Sequence, residues 1–388
     1  MRATHAALAP ITGHLLVVAG TRPEAIKLAP VVGALLSDGR LPISVIAAGQ
    51  QAAEVSRVFA DWGLYAMHLP QMPTRPHWRV AEREQRHRLR ALFRALGADA
   101  VMVQGDTWSA YAAARAADEL GRPLIHVEAG LRSPDPRDPY PEDALRRLIS
   151  RRAWLHFAPT ELAKRVLLDE GIADSAIAVS GSTAADALRR LLAQPTADAV
   201  GSDEFGLMVT IHRRENWDAG LQLICDALEQ VMAQRRHLRV LWPLHSNPEL
   251  AARVRQRFAE HPQMRLSAPL AQPEFVAHLR RCGRILSDSG GVQEEVPYLG
   301  AAALIARRCS ERPQSEHSGH ARLCAATDPN FSGELNHLLD RPRPAAAAFD
   351  QHAPWGDGRA GSRIAARVIQ ELLARGREQP AAAQLDYA

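Results

Sequence analysis

Short apolar runs alternate along this chain with segments whose apolar residues recur every three to four positions. Leu15–Ala19 has the length of a buried strand, and Glu24–Leu36 follows it with the spacing of one apolar helix face. Because buried strands of a parallel sheet are continuously apolar, this alternation predicts an α/β fold with helices on both faces. Further strands are predicted at Ile43–Ala48, Ala100–Val103, Pro123–Val127, Trp154–Phe157, Leu207–Ile211, Val240–Trp242, Arg284–Ser287 and Ala302–Ile305.

The alternation runs through two series, which predicts two doubly wound domains. The stretch 194–204 between them is poor in large apolar residues and contains proline and glycine, as linkers do. The seam is therefore expected between Ala184 and Gly206. The length of 388 residues also exceeds that of a usual single domain. Ile364–Leu373 predicts a last amphipathic helix, followed by a frayed tail from Gln379.

Composition excludes several classes of protein. A formal charge of +4 over this length gives no reason to expect a nucleic-acid partner, and no apolar run approaches a membrane span. The four cysteines form no C-x-x-C pair, so neither a disulfide framework nor a cysteine zinc site is expected. We therefore expect a cytoplasmic globular protein.

The first candidate site is the segment Gly20–Lys27, where a strand turns into a helix with Pro23 near its first position. Backbone N–H groups at a helix start favour an anion, and Arg22 and Lys27 add positive charge. A plain strand-to-helix turn with surface charges is an equal alternative from these residues alone.

Three carboxylates follow the predicted strands or open a helix: Asp106, Glu128 and Glu142. Ligands of open α/β sheets bind outside the carboxyl ends of the strands, so these side chains could converge. Crowded carboxylates raise one another's pKa, which suits acid–base work on a substrate proton. For each residue alone, an N-cap or a salt bridge is the commoner role.

Two segments of the second half predict an anion site. His212 ends a strand beside two arginines, although a single histidine there is more often structural. Ser289, Gly290 and Gly291 follow another strand and open a helix, with Glu295 one turn further along. This segment is neither a P-loop nor a dinucleotide fingerprint, so it predicts a nucleoside diphosphate without a nicotinamide. A glycine-softened turn is the alternative.

Together these segments resemble the non-hydrolysing UDP-N-acetylglucosamine (UDP-GlcNAc) 2-epimerases. The similarity runs from about Leu15 to Leu373 and keeps the family's motif order. Relatives that hydrolyse their substrate usually lack the Pro-Glu-Ala-Ile-Lys form found here. The motifs are Gly-Thr-Arg-Pro-Glu-Ala-Ile-Lys at 20–27, Gly-Asp-Thr at 105–107, His-Val-Glu-Ala-Gly-Leu-Arg at 126–132, His-Arg-Arg-Glu-Asn at 212–216, Asp-Ser-Gly-Gly-Val-Gln-Glu-Glu at 288–295 and Trp-Gly-Asp-Gly at 355–358.

The resemblance implies a glycosyltransferase-B-like fold. It consists of Rossmann-like domains at 1–185 and 206–361, a cleft between them, and a helix at 362–376 that crosses back to the first domain. The implied activity interconverts UDP-GlcNAc and UDP-N-acetylmannosamine (UDP-ManNAc) through a 2-acetamidoglucal, for bacterial surface polysaccharide precursors. We expect a UDP-sugar ligand, no nucleic-acid or membrane partner, a homodimer, and no redox cofactor or metal.

The resemblance also implies roles for residues of both halves. Three acid–base carboxylates are implied, together with two residues that stabilise the departing diphosphate: Asp106, Glu128 and Glu142, then Arg22 and His212. The substrate- and UDP-binding residues would be Lys27, Arg132, Arg213, Phe275, Ser289, Gly290, Gly291, Glu295 and Arg312.

The chain departs from the family pattern at several positions. Gln51, Ser182 and Gln314 replace the usual His, Asn and Glu, and 317–320 replaces an Ala-Gly-Thr segment. The usual Pro-Gly-Gln segment is absent, and 71–87 stands in its place. Many bacterial members use that region to bind a second, activating UDP-GlcNAc, so we expect simple kinetics here.

Three other functions are open at this stage. The same reaction could use a UDP-linked diacetamido uronic acid, whose carboxylate Arg75, Arg79 and Arg132 could accommodate. A glycosyltransferase on the same fold would need an acceptor site but not three clustered acids. A non-catalytic binding paralogue would not need intact carboxylates.

Overall fold

The computed structural model describes residues 13–49, 51–69, 78–194, 205–245 and 247–378. The chain divides into two compact units, Met1–Ala187 with Gly358–Ala388 (unit 1) and Leu188–Asp357 (unit 2). Most of the predicted linker, the predicted tail and Arg75 lie outside the described residues.

Unit 1 contains a seven-stranded parallel sheet in the order β3-β2-β1-β4-β5-β6-β7. Its strands are β1 (Leu15–Ala19), β2 (Ile43–Ala47), β3 (Met67–His68), β4 (Ala100–Gln104), β5 (Leu124–Val127), β6 (Leu155–Ala158) and β7 (Ile177–Val179). Its helices are α1 (Arg22–Asp38), α2 (Ala52–Asp61), α3 (Trp78–Ala95), α4 (Trp108–Glu119), α5 (Glu142–Ser150), α6 (Glu161–Asp169) and α7 (Thr183–Leu192), which runs past the unit boundary. A 3₁₀ turn at Asp174–Ala176 precedes β7.

Unit 2 contains a six-stranded parallel sheet in the order β10-β9-β8-β11-β12-β13. Its strands are β8 (Leu207–Thr210), β9 (Val240–Pro243), β10 (Met264–Ser267), β11 (Arg284–Ser287), β12 (Ala302–Ile305) and β13 (Ala321–Leu323). Its helices are α8 (Ala219–Gln234), α9 (Pro248–Phe258), α10 (Gln272–Cys282), α11 (Gly290–Leu299), α12 (Pro313–His317) and α13 (Phe331–Asp340), with a 3₁₀ turn at Arg214–Asn216.

Strand β1 shows why the central strands are continuously apolar. Leu15 and Val17 pack into a core with α1 and α2, whereas Leu16 and Val18 pack into a second core with α4 on the other face. Successive side chains of a strand point to opposite faces, so a sheet covered on both sides requires apolar residues throughout. The prediction of an α/β fold with two doubly wound parallel sheets is confirmed.

The last helix, α14 (Ala360–Glu378), belongs to unit 1 and packs along α1. The two helices approach closely at Gly361, where a Cβ atom would lie 2.8 Å from the backbone of Pro30. Asp186 accepts hydrogen bonds from the N–H groups of Ala360 (2.9 Å) and Gly361 (2.7 Å) and so caps the start of α14. No helix in the described part of the chain combines the length and apolar character needed to cross a membrane.

Candidate active site

Each sheet has one point at which its strand order reverses, between β1 and β4 in unit 1 and between β8 and β11 in unit 2. Ligands of open α/β sheets bind beyond the carboxyl ends of the strands at such a point. In unit 1 the segments that follow are 20–22 and 105–107. In unit 2 they are 211–216 and 288–290. Four of the six family motifs, at 20–27, 105–107, 212–216 and 288–295, therefore lie at the switch point of their own sheet.

Asp106 follows β4 and forms an ion pair with Arg146, a buried residue of α5. The turn before Asp106 is supported by His126, whose Nε2 lies 2.8 Å from the carbonyl oxygen of Gly105. Burial holds the pKa of His126 well below its usual range, so the ring is neutral. A carbonyl can only accept a hydrogen bond, so Nε2 carries the proton.

Glu128 follows β5, the strand beside β4. Among the described residues, Glu128 is the only one other than glycine whose backbone is left-handed, with a φ of 64°. Such a conformation costs energy and is concentrated at functional sites. Its carboxylate forms a buried ion pair with the ammonium of Lys27. Lys27 therefore contacts the predicted acid–base group directly.

Glu142 is the first residue of α5 and is half-buried. It lies one turn before Arg146 and thus on the same helix face, the face that reaches Asp106. The N–H of Gly105 donates to the carbonyl of Val127 at 3.0 Å, which joins the segments that precede Asp106 and Glu128. The three predicted carboxylates are thus brought to one edge of unit 1.

Arg132 has a different environment from these carboxylates. Its guanidinium donates to both carboxylate oxygens of Glu170, at 2.9 and 2.7 Å, and to the carbonyl of Leu131 at 2.8 Å. Two parallel bonds of this kind fix both partners. Arg132 therefore ties the loop after β5 to the end of α6, which is a structural contact that its sequence position did not reveal.

Glu24 is a buried carboxyl that the motif analysis did not single out. It accepts hydrogen bonds from the Gly20 N–H (3.0 Å) and from the hydroxyls of Thr21 (2.8 Å) and Thr107 (2.7 Å). Burial raises its pKa to about 7, although these hydrogen bonds act to lower it. The Thr-x-x-Glu spacing at a helix start is the signal that could have identified it.

Thr21 and Thr107 are the N-cap residues of α1 and α4, and Glu24 is bonded to both hydroxyls. One carboxyl thus connects the two segments of the unit 1 switch point. The first of these segments also carries Arg22, whose backbone N–H donates to Oε1 of Gln51 at 3.0 Å. Gln51, one of the departures from the family pattern, supports the start of α1.

In unit 2, His212 follows β8 with an exposed side chain. Its Nε2 contacts the hydroxyl of Thr210, and its ring lies 5.4 Å from the ring of His245. The neighbouring Arg213 donates from Nε to the carbonyl of Asp288 at 3.0 Å. The contact of Arg213 with Asp288 holds this segment against the loop after β11.

Helix α11 begins at Gly290 with Ser289 as its N-cap. A Cβ atom on Gly290 would lie 2.7 Å from Nη1 of Arg312, so the guanidinium occupies the space beside the helix start. Arg312 is held there by Glu294, at 2.7 Å from its Nε, and by Glu311. A helix N-terminus beside a guanidinium is suited to binding an anion.

The remaining predicted ligands lie on the helices around this group. Gly291 is the second residue of α11, and Glu295 lies on the same helix, half-buried. Phe275 is half-buried on α10, the helix before β11. Gly290 lies beside the guanidinium of Arg312, whereas Phe275 is carried by a different helix.

Comparisons with a family model and with related sequences point to the same family of enzymes. Residues 34–369 match the family model described as UDP-N-acetylglucosamine 2-epimerase. The UDP-N-acetylglucosamine 2-epimerase of Salmonella typhimurium is 34% identical over 376 residues, covering 92% of this chain and 98% of the relative. That of Bacillus subtilis is 33% identical over 374 residues, covering 92% and 94%.

Solved structures show the same similarity. The UDP-GlcNAc 2-epimerase of Neisseria meningitidis, crystallised with UDP-GlcNAc, has a TM-score of 0.86 and 29% identity, covering 92% of this chain and 100% of that one. The Methanocaldococcus jannaschii enzyme, in complex with UDP-GlcNAc and UDP, has a TM-score of 0.79 and 28% identity, covering 92% and 99%. This chain therefore belongs to the UDP-N-acetylglucosamine 2-epimerase family.

Proposed function

We propose that this protein is a non-hydrolysing epimerase that interconverts UDP-GlcNAc and UDP-ManNAc. The observation that carries the proposal is the group of carboxylates at the edge of unit 1, in a chain that matches the family over most of its length. Asp106, Glu128 and Glu142 lie where strands β4 and β5 end and α5 begins. Glycosyl transfer alone would not require this group.

The chemistry proceeds by elimination and re-addition. The C2 proton of the sugar is poorly acidic, so the C1–O bond to UDP must break before or during proton removal. A carboxylate takes the proton from C2 as the bonding electrons leave C1 with UDP, which forms 2-acetamidoglucal and free UDP. Re-addition of UDP at C1 with protonation of C2 on the opposite face gives the epimer. Two faces require at least two acid–base groups.

The cations around the carboxylates support this division of roles. Lys27 and Arg146 stabilise the negative charge of Glu128 and Asp106 respectively. A carboxylate must be ionised to accept the C2 proton, so each of these pairs supplies a candidate base. Glu142, half-buried on the face of α5 that carries Arg146, is the third proton-transfer group.

Unit 2 is proposed to hold UDP. The start of α11 and the guanidinium of Arg312 form the diphosphate site, and Glu295 binds the ribose hydroxyls. Positive charge on the diphosphate makes UDP a better leaving group, which is the role proposed for Arg22 and His212. Lys27 contacts Glu128, so we assign it to that carboxylate and not to the diphosphate.

Substitution of the carboxylates tests this assignment. Asp106→Asn, Glu128→Gln and Glu142→Gln should each lower kcat about a hundredfold or more, the usual scale of acid–base groups. UDP affinity, measured by calorimetry, should remain near that of the wild type because the proposed diphosphate contacts lie mainly in unit 2. Glu161→Gln, an exposed carboxylate at the start of α6, is the matched control. Near-normal turnover in two of the three variants would contradict the assignment.

Two arginine contacts favour UDP-GlcNAc as the substrate over a UDP-linked diacetamido uronic acid. Arg132, one of the arginines considered for a carboxylate, is engaged by Glu170. A second arginine, Arg79, has its guanidinium 5.1 Å from the ring of Trp78. Assembly as a homodimer remains a prediction, which light scattering of the purified protein would test.

A further inference from the structure

Asp288 is a fully buried carboxylate at the switch point of the unit 2 sheet. It follows β11 directly and precedes the N-cap of α11. Oδ1 accepts the backbone N–H of His212 at 2.9 Å, and Oδ2 accepts the backbone N–H of Arg213 at 3.0 Å. Nδ2 of Asn216 donates to Oδ2 at 2.9 Å. One side chain thus receives three donors from the loop that follows β8.

A carboxylate suits this position better than any neutral group. All three partners are N–H donors, and an ionised carboxylate is an acceptor at both oxygens. An asparagine would place an NH₂ group where a backbone N–H already points, so one donor would lose its partner. Buried charge is costly unless hydrogen-bonded, and these bonds offset that cost.

Asn216 extends the support to a third strand. Its Nδ2 also donates to the carbonyl of Ala306, just beyond β12, at 3.0 Å. A Cβ atom on Gly220 would lie 2.9 Å from its Oδ1, so the start of α8 packs closely on the same amide. The ends of β8, β11 and β12 are therefore joined through Asp288 and Asn216.

The main chain of Asp288 contributes as well. Its carbonyl accepts Nε of Arg213 at 3.0 Å, so both the backbone and the side chain of Arg213 are fixed by this residue. The next residues along the chain are Ser289 and Gly290, where α11 begins. Asp288 thus sets the distance between the His212–Arg213 segment and the start of α11.

We infer that Asp288 is a positioning residue, which holds His212 and Arg213 in the geometry needed to bind a nucleoside diphosphate at the start of α11. This inference rests on the proposed function for the identity of the ligand. Asp288 acts through other groups, since its own carboxylate is buried and bonded to the loop. Misplacing a binding group by a small distance is costly even when its side chain is intact.

A comparison of four proteins tests the inference: wild type, Asp288→Asn, the double variant His212→Ala/Arg213→Ala, and the triple variant. UDP affinity is measured by calorimetry, and kcat with UDP-GlcNAc by product analysis. Asp288→Asn should weaken UDP binding about fivefold or more and lower kcat about tenfold in the wild-type background. In the variant that lacks the His212 and Arg213 side chains, Asp288→Asn should change both UDP affinity and kcat by less than twofold. The side chains that Asp288 positions are absent there.

Two outcomes would overturn the inference. Asp288→Asn could have no effect on UDP binding, or it could have the same effect in both backgrounds, which would indicate a general structural role. If Asp288→Asn does not fold, Asn216→Ala replaces it in the single and the triple variant, with a smaller effect expected in the same direction. If wild-type protein binds UDP but does not epimerise UDP-GlcNAc, the proposed function fails. The UDP affinities of the four proteins still decide the role of Asp288 in that case.

Discussion

Replacing Glu24 with glutamine should change how the stability of the protein depends on pH. The Glu24 carboxyl is buried, and its pKa rises to about 7 from an ordinary value of 4.5. Between these two values the folded protein holds a proton that the unfolded chain has released. The stability associated with this group is fully present below pH 4.5 and is lost as the pH rises through about 7.

The size of the effect follows from the two pKa values. A pKa difference of 2.5 (7 − 4.5) corresponds to about 3.4 kcal/mol at about 1.36 kcal/mol per pKa unit. Of this, about 2.5 kcal/mol is lost between pH 5 and pH 8, because titration in the unfolded chain has already begun at pH 5. Glutamine does not titrate, so Glu24→Gln removes this contribution while preserving the shape of the side chain.

Urea unfolding of wild type and Glu24→Gln at several pH values between 5 and 8 measures the effect. The difference between their free energies of unfolding should move in favour of the variant by about 2.5 kcal/mol over this range. Other titrating groups, including His126 and His156, are present in both proteins and cancel. Thr107→Val removes a hydrogen bond that lowers the pKa of Glu24, so it should shift the titration to higher pH. A difference independent of pH would refute the reasoning.

Three further predictions concern the site and its regulation. Gly290→Ala should weaken UDP binding, measured by calorimetry, about tenfold or more, because the added Cβ would lie 2.7 Å from Nη1 of Arg312 and displace its guanidinium. Arg132→Met should lower Tm by several degrees, because it leaves Glu170 without its bidentate partner, and should leave KM for UDP-GlcNAc within about twofold. Initial rates should depend hyperbolically on UDP-GlcNAc, and UDP-ManNAc should turn over alone. A Hill coefficient clearly above one would contradict the last prediction.

The central strands could be predicted from the sequence because burial on both faces makes them continuously apolar. The predicted bounds of β11 and β12 match those of the structure, and β1 was identified in full. The edge strands were missed for the opposite reason. Strand β3 has two residues, and β10 includes the exposed Arg265, so neither presents an apolar run. An edge strand has one neighbour and therefore needs less apolar surface.

The site could be predicted only as far as local position determines it. Asp106 and Glu128 were placed at strand ends, and strand order then brings neighbouring ends together. Their partners could not be found in this way. Arg146 is 40 residues from Asp106 along the chain, and Lys27 is 101 residues from Glu128. Such pairs depend on tertiary packing, which no local spacing reports.

Buried carboxyls that accept several hydrogen bonds were the second group of residues that the sequence did not reveal. Glu24 and Asp288 both lie inside motifs that were recognised, yet neither residue was assigned a role from the sequence. Their importance comes from donors that lie on other segments, 83 residues away for Thr107 and 76 for the N–H of His212. The structure shows that each switch point has one buried carboxyl joining its two loops.

Proton NMR of the purified protein with UDP-GlcNAc in deuterated water tests the proposed reaction most directly. Removal of the C2 proton and reprotonation from solvent should produce UDP-ManNAc with deuterium at C2, and on longer incubation UDP-GlcNAc should also lose its C2 proton signal. No NAD should be needed. Epimer formed with its C2 proton retained would contradict elimination and re-addition. Free N-acetylmannosamine as the main early product would instead place the protein among the enzymes that hydrolyse their substrate.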